Sequence, residues 1–365
     1  MRIIVVGSSH HNTLSVLRCL GEVYGQLEVI LVGCKSSFIA KSKFARTITY
    51  VDNVIELYHL IRHYEVGVRT VFISCSDSVS QMFDSHFCEL SNRFDFFNAG
   101  VEGRLTFMMD KQRQVDLARE SGFLTPYSSC YTNGGEICSF NRFPCIVKPL
   151  QSYVGGKSIM ICNSISELRS VVSELPVGVE FQVQELISKK HEIVLPGLIT
   201  SNNFIIPGYI KKHRDFLGAT TYSSVKQHDN LTLQLVLYAE RMLRDIGYIG
   251  LFGIEAIFDG SNYLFIELNL RNDATCYSIS VAGVNLPSLY IESLKKDNVS
   301  VPAHINEITS IVENKDFSHV LDGKLSIIQW IKELRNAECK FLYHRKDLKP
   351  LFACIIEQVS SKLHL

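Results

Sequence analysis

Phe252-Gly-Ile-Glu-Ala-Ile-Phe258 and Tyr263-Leu-Phe-Ile-Glu-Leu-Asn-Leu-Arg271 are two apolar runs interrupted by carboxylates. Asp259-Gly-Ser-Asn262 joins them, and these turn formers predict a hairpin with strands over Phe252–Phe258 and Tyr263–Leu268. Side chains alternate along a strand, so Glu267, Asn269 and Arg271 project to one face. A symmetric register set by the turn is expected to put Glu255 opposite Glu267. Like charges facing each other across a sheet destabilise it, so this pair calls for a cation. Asn269 adds a neutral oxygen. Two carboxylates and an amide oxygen are hard ligands that suit Mg²⁺, with phosphate oxygens and water completing the shell. The competing reading is a solvated polar face with unrelated glutamates, and the strongly apolar flanks argue against it.

Upstream, Ile3-Ile4-Val5-Val6 ends in Gly7-Ser8-Ser9 and is followed by a helical stretch near Thr13–Leu20. Val29–Val32 and Thr70–Ser74 are further short apolar runs. Continuous apolar strands alternating with a helix predict a parallel sheet covered on both faces. Residues 1–105 therefore read as an N-terminal doubly wound α/β domain. Met109–Ser121 reads as a helix ended by Gly122 and Pro126. Cys145-Ile146-Val147 and Ile159–Cys162 are strand-like, with a helix starting near Ser164. Phe181–Gln184 and His191–Leu195 are also strand-like, and Leu231–Asp245 is an amphipathic helix. The tail from 296 reads as mostly helical, with helices near Lys324–Arg335 and Leu348–Lys362. No repeat or low-complexity segment interrupts this order.

Two more stretches carry chemistry. Lys148 ends the buried run Ile146-Val147-Lys148-Pro149, and its ammonium must reach water or an anion. Beyond it lie Ser152, Gly155, Gly156, Lys157 and Ser158, where glycine backbone and hydroxyls can approach phosphate. This loop matches neither common phosphate-binding glycine pattern, so a plain hairpin loop is the alternative. Gln184, Glu185, Leu186 and Ile187 form an extended edge whose backbone can read adenine. Glu192 follows where a carboxylate can hold ribose hydroxyls. A routine amphipathic strand fits the same residues.

Composition limits the partners. Lys plus Arg equals Asp plus Glu at 37 each, so no overall field draws the chain to nucleic acid or an acidic membrane. Hydrophobic residues at 46% support a substantial core, and 365 residues suggest two or three domains. Eleven scattered cysteines include no Cys-x-x-Cys pair, which argues against zinc and fits a reducing cytoplasm. The apolar start is too short for a signal-peptide core, and no run is long enough to span a membrane.

Taken in order, these stretches resemble the ATP-grasp superfamily. Met109-Asp110-Lys111, then a helix and Gly122-Phe-Leu-Thr-Pro126, is similar to the segment carrying that family's first phosphate lysine, as in D-alanine–D-alanine ligases. Val147-Lys148-Pro149 resembles the second lysine and Ser152–Ser158 the phosphate-covering loop. Gln184–Ile187 looks like the adenine hinge and Glu192 the ribose carboxylate, while Glu255, Glu267 and Asn269 fall where the family places magnesium ligands. Phe265-Ile-Glu-Leu-Asn-Leu-Arg271 is similar to a stretch of biotin carboxylases and carbamoyl-phosphate synthetases. Phe72-Ile-Ser-Cys-Ser-Asp77 and Ala282-Gly-Val-Asn-Leu-Pro287 also resemble family loops. The resemblance covers about residues 1–295 and departs from relatives at Leu270 and at Asn272-Asp273.

The resemblance implies an N-terminal domain over 1–105, a small lid subdomain with the phosphate loop over 106–190, a large subdomain with the metal site over 191–295, and a helical extension over 296–365. It implies ATP and Mg²⁺, with Mn²⁺ as an alternative. It implies a cytoplasmic ligase that activates a small-molecule carboxylate as an acylphosphate and joins it to an amine, and it is compatible with a homodimer. Lys111 and Lys148 would position phosphates, and Arg271 would hold the substrate carboxylate or oxyanion, unless it is a structural ion pair. Gly7–Asn12 and Ser74–Ser78 follow strand ends and are expected substrate loops. His10 and His11 read either as anion contacts or as loop filler, and Lys211–Arg214 either as a closing segment or as a solvated loop. Rival readings are an ATP-binding module without ligase activity and an ATP-grasp kinase or carboxylase.

Overall fold

A computed structural model of the chain describes residues 1–65, 67–134, 140–149 and 160–363. The expected phosphate loop, with Ser152, Gly155, Gly156, Lys157 and Ser158, lies outside the described residues. Among the described residues the chain forms three sheets.

The first is parallel, in the order Ala45–Val51, Leu27–Val32, Arg2–Gly7, Thr70–Ser74 and Phe94–Asp95. Ile4, Val5 and Val6 are fully buried in succession, which is why the sequence shows a run there and no alternation. The first helix, His11–Tyr24, and the helix Val54–Arg62 connect its strands.

The second sheet is antiparallel, in the order Ser128–Thr132, Glu180–Glu185, Cys145–Pro149 and Met160–Cys162. Its helix Ile165–Ser173 closes a separate small core of Val147, Cys162, Leu168, Val172, Phe181 and Val183. The helix Lys111–Ser121 precedes this sheet. Asp110 caps its start by accepting from Gln112 and Arg113 N–H, and Gly122 ends it at φ +109°. A side chain at Gly122 would also strike the Tyr238 ring at 2.8 Å.

The third sheet has eight strands. Its path runs Tyr263–Asn269, Gly250–Phe258, His191–Ile199, Tyr209–Phe216, Ala219–Lys226, Thr309–Ile311 and Cys339–Lys340, with Phe204–Ile205 beside His191–Ile199. The C-terminal segment is therefore not only helical, because it adds two short strands to this edge. One apolar cluster joins the parallel sheet to the third sheet, running from Val5, Leu31 and Ile73 through Phe97 to Ile193, Leu195 and Ile254. No helix among the described residues is long and apolar enough to cross a membrane.

The hairpin pairs Glu255 with Glu267, but not by turn symmetry. Phe258 pairs with Tyr263 and Ala256 with Phe265, a register that would set Glu255 against Ile266. A bulge at this point makes Ile266 the extra residue and brings Glu267 opposite Glu255.

Candidate active site

Four strands share the face that carries the paired glutamates. His191–Ile199 pairs Glu192 with both Ile257 and Lys212, and Val194 with both Glu255 and Ile210. Glu192, Lys212, Glu255 and Glu267 thus project to the same side of the sheet. The Lys212 ammonium lies 2.5 Å from Glu255 Oε2 and 3.3 Å from Glu192 Oε2. It gives Glu255, one of the two facing carboxylates, a buried counterion. Burial works against its charge, but Glu255 and Glu192 outweigh burial and hold its pKa above the ordinary lysine value. Burial raises the Glu255 pKa even with Lys212 alongside. Burial also acts to raise Glu192, yet Lys212 and Lys189 reverse the direction and lower it.

The sequence reading left Lys211–Arg214 open and did not single out Lys212. The segment is a strand, and bulges split its charges. Lys212 turns into the site, while Arg214 ties the sheet to Asp316 at 2.8 Å and Glu333 at 2.6 Å. His213 Nε2 meets Ser224 Oγ at 3.0 Å.

Lys148 is placed by the second sheet, where its ammonium donates to Gln184 Oε1 at 2.7 Å. Burial, and then the neighbouring Lys111, bring its pKa down to about 8, while Glu267 acts in the opposite sense. Lys111 and Glu267 thus both lie close enough to Lys148 to act on its charge. Along the expected adenine edge, Glu185 N–H donates to Tyr127 O and Leu186 N–H donates to Pro144 O, each at 2.9 Å. Glu185 Oε1 accepts from Tyr127 N–H at 2.7 Å, and Glu185 also pairs with Arg142. These donors are committed within the protein, whereas Ile187 N–H meets no backbone carbonyl among the described residues. Glu192 accepts from Lys189 at 2.7 Å, so its carboxylate already has two lysine partners.

A cavity of about 380 Å³ opens against this face. Glu255, Glu267, Asn269, Arg271 and Lys212 line one wall, and Ser8, His10, His11 and Asn12 with Cys75–Asp77 line another. Both loops expected from strand ends converge here. Arg271 Nε donates to Asp77 Oδ1 at 2.8 Å and Nη2 donates to Asn269 Oδ1 at 3.1 Å. Arg271 is thus an ion-paired residue and a lining residue at once. Burial opposes its charge, but Asp77 and Asp273 raise its pKa. Asn272, a departure from relatives, locks the two halves together: its Nδ2 donates to Asn12 Oδ1 at 2.6 Å, and Asn12 Nδ2 donates back to Asn272 O at 3.0 Å. Asp273 is buried against Gly253, where a Cβ would lie 2.8 Å from the Asp273 Cβ. The third wall is Thr220, Thr221, Ser310, Val312 and Phe341, mostly from a C-terminal segment that gave no site signal in the sequence.

Among the described residues no three His, Cys, Asp or Glu side chains gather into a self-sufficient metal cage. Glu255, Glu267 and the Asn269 oxygen would supply only part of a shell, as for a cation that arrives with phosphate oxygens.

No family model matches the chain. It is 29% identical over 287 residues to the carbamoyl phosphate synthase large chain of Clostridium acetobutylicum, a match covering 71% of this chain and 26% of the relative. It is 28% identical over 179 residues to the formate-dependent phosphoribosylglycinamide formyltransferase of Bacillus velezensis, covering 45% of each. The chain thus spans less than half the length of either curated relative. The solved structure of carboxyaminoimidazole ribonucleotide synthase from Aspergillus clavatus, complexed with ATP, superposes with a TM-score of 0.69 at 11% identity, covering 89% of this chain and 87% of that one. The fold and these sequence relatives define the class. These relatives and structural neighbours are ATP-grasp superfamily members, and the chain has the ATP-grasp fold.

Proposed function

We propose that the protein is an ADP-forming carboxylate–amine ligase. The observation that carries this reading is the facing pair Glu255 and Glu267, with Asn269 on the same strand, at the wall of a cavity that also holds Arg271. These three residues would hold Mg²⁺, which when bound neutralises phosphate charge. Lys111 and Lys148 hold the ATP phosphates, and the 184–187 edge with Glu192 holds the nucleoside. The γ-phosphoryl group passes to a carboxylate oxygen, ADP leaves, and the acylphosphate forms. An amine then attacks the acyl carbon, phosphate departs with the carboxylate oxygen, and the amine loses a proton. Arg271 faces the cavity with a planar donor fork suited to a carboxylate or a tetrahedral oxyanion. Lys212 is held beside the paired glutamates by Glu255 and Glu192, where its ammonium would add positive charge toward a phosphoryl group.

A carboxylase reading shares every step up to the acylphosphate, with bicarbonate as the carboxylate. The names of the carbamoyl phosphate synthase and carboxyaminoimidazole synthase relatives favour keeping it as the second reading. ADP release screened against carboxylate–amine pairs, bicarbonate included, separates the two. Release requiring an organic carboxylate and an amine supports the ligase. Release with bicarbonate alone as the acid supports the carboxylase, and no release with any pair removes both.

A further inference from the structure

His10 lines the cavity, and Lys315 meets it from the C-terminal segment. Lys315 Nζ lies 3.0 Å from His10 Nε2, and this is its only hydrogen-bond partner among the described residues. Lys315 is half-buried and forms no ion pair with a carboxylate among the described residues. His10 is also the N-cap of the first helix, where its Nδ1 accepts from Asn12 N–H at 3.2 Å.

Proton bookkeeping makes these two contacts incompatible. A neutral imidazole has one acceptor nitrogen and one N–H. If Nδ1 accepts from the helix, Nε2 carries hydrogen and faces a second donor, the ammonium. If Nε2 accepts from Lys315, the cap is lost. Protonating the ring worsens the conflict. Burial first, and then Lys315 and Arg271, push its pKa down to about 4, so it stays neutral near pH 7. With the cap kept, Nε2–H and the Lys315 ammonium are two donors 3.0 Å apart with no acceptor between them. Such a pair is satisfied by an oxyanion that accepts from both.

We propose that His10 and Lys315 form an oxyanion clamp in the cavity, and that one of the two substrates carries a second anionic group there, a carboxylate or a phosphate. The inference rests on the ligase reading for its role in turnover, though not for anion binding itself. It narrows the substrate class to molecules bearing an anion in addition to the carboxylate that is activated. It also gives the C-terminal segment a function, since Lys315 and the wall residues Ser310, Val312 and Phe341 arrive with it.

The test uses the full chain in a Lys148→Met background, which removes the expected nucleotide-phosphate site. Inorganic phosphate and acetate are titrated separately by calorimetry, and the stronger of the two identifies the anion class. Saturable binding is expected, weakened at least about tenfold by Lys315→Met and by His10→Asn. Asparagine retains a capping oxygen, so a purely structural His10 would be rescued by it. Lys315→Arg should bind nearly as the parent does, which guards against loss of folding in the methionine variant. Unchanged affinity in Lys315→Met and His10→Asn, or no saturable binding of either probe, overturns the clamp. In turnover of the chain with Lys148 intact, Lys315→Met should raise KM about tenfold for an anionic substrate while leaving KM for ATP and for its uncharged amide analogue unchanged. Loss of phosphate binding without any turnover would fault the ligase reading and leave the clamp standing.

Discussion

Lys212→Met tests the charge cluster at the heart of the site. The lysine side chain is 6% exposed and serves Glu255 at 2.5 Å and Glu192 at 3.3 Å. Removing one partner of a buried ion pair leaves an uncompensated charge and costs about 3–5 kcal/mol. Glu255 and Glu192 each keep about a quarter of their side-chain surface exposed, so water shares the load. The expected loss at neutral pH is therefore near the lower bound, about 3 kcal/mol. The sign with pH follows from Glu255. Its folded pKa lies above its unfolded value and rises further without Lys212. The folded state then holds more protons than the unfolded one, so stability is fully present below the unfolded carboxylate pKa and is lost as pH rises through the folded value. Urea unfolding at about pH 5 and about pH 8 should show a small deficit at the first and the full deficit at the second. Adding Glu255→Gln should recover most of the loss, and Mg²⁺ with ATP should recover it in the single variant. A deficit below about 0.5 kcal/mol at both pH values, as a surface pair would give, refutes the buried-cluster reasoning.

Three further outcomes follow from the same geometry. ATP affinity should fall by about tenfold per pH unit above about 8, where free Lys148 loses its proton, and Lys148→Arg should flatten this dependence in calorimetric titrations across pH. Glu267→Gln should keep the fold but lose most of the rise in melting temperature that Mg-ATP gives the wild type, about 2.7 kcal/mol at a hundredfold excess over Kd. A variant that gains as much as wild type would show that Glu267 holds no metal. Asn12→Ala should lower stability by about 1–3 kcal/mol in urea, since it leaves buried groups of Asn272 and Cys75 without partners. A neutral result would mean that the Asn12–Asn272 pair adds nothing to the joining of the two halves.

Local periodicity made the fold legible, and long-range pairing hid the rest. The runs Ile3–Val6 and Thr70–Ser74 announce a covered parallel sheet because both faces of each strand are buried. The hairpin was readable because its turn and its alternation lie within twenty residues. The bulge at Ile266 was not, since a one-residue slip leaves no compositional mark. Lys212 was obscured for a similar reason. Four consecutive basic or imidazole side chains look alike until strand pairing assigns Lys212 to Glu192 and Arg214 to Asp316. Lys315 lies 305 residues from its partner His10, so no window of sequence could join them. The strands Thr309–Ile311 and Cys339–Lys340 are too short to show a period.

The central claim is that a carboxylate oxygen receives the γ-phosphoryl group of ATP. It is tested most directly with ¹⁸O-labelled carboxylate in a reaction that releases ADP, followed by mass spectrometry of the phosphate. Acylphosphate chemistry predicts that one labelled oxygen leaves the carboxylate with each phosphate formed. Unlabelled phosphate would mean that the γ-phosphoryl group passes to water or to another acceptor and would contradict carboxylate activation.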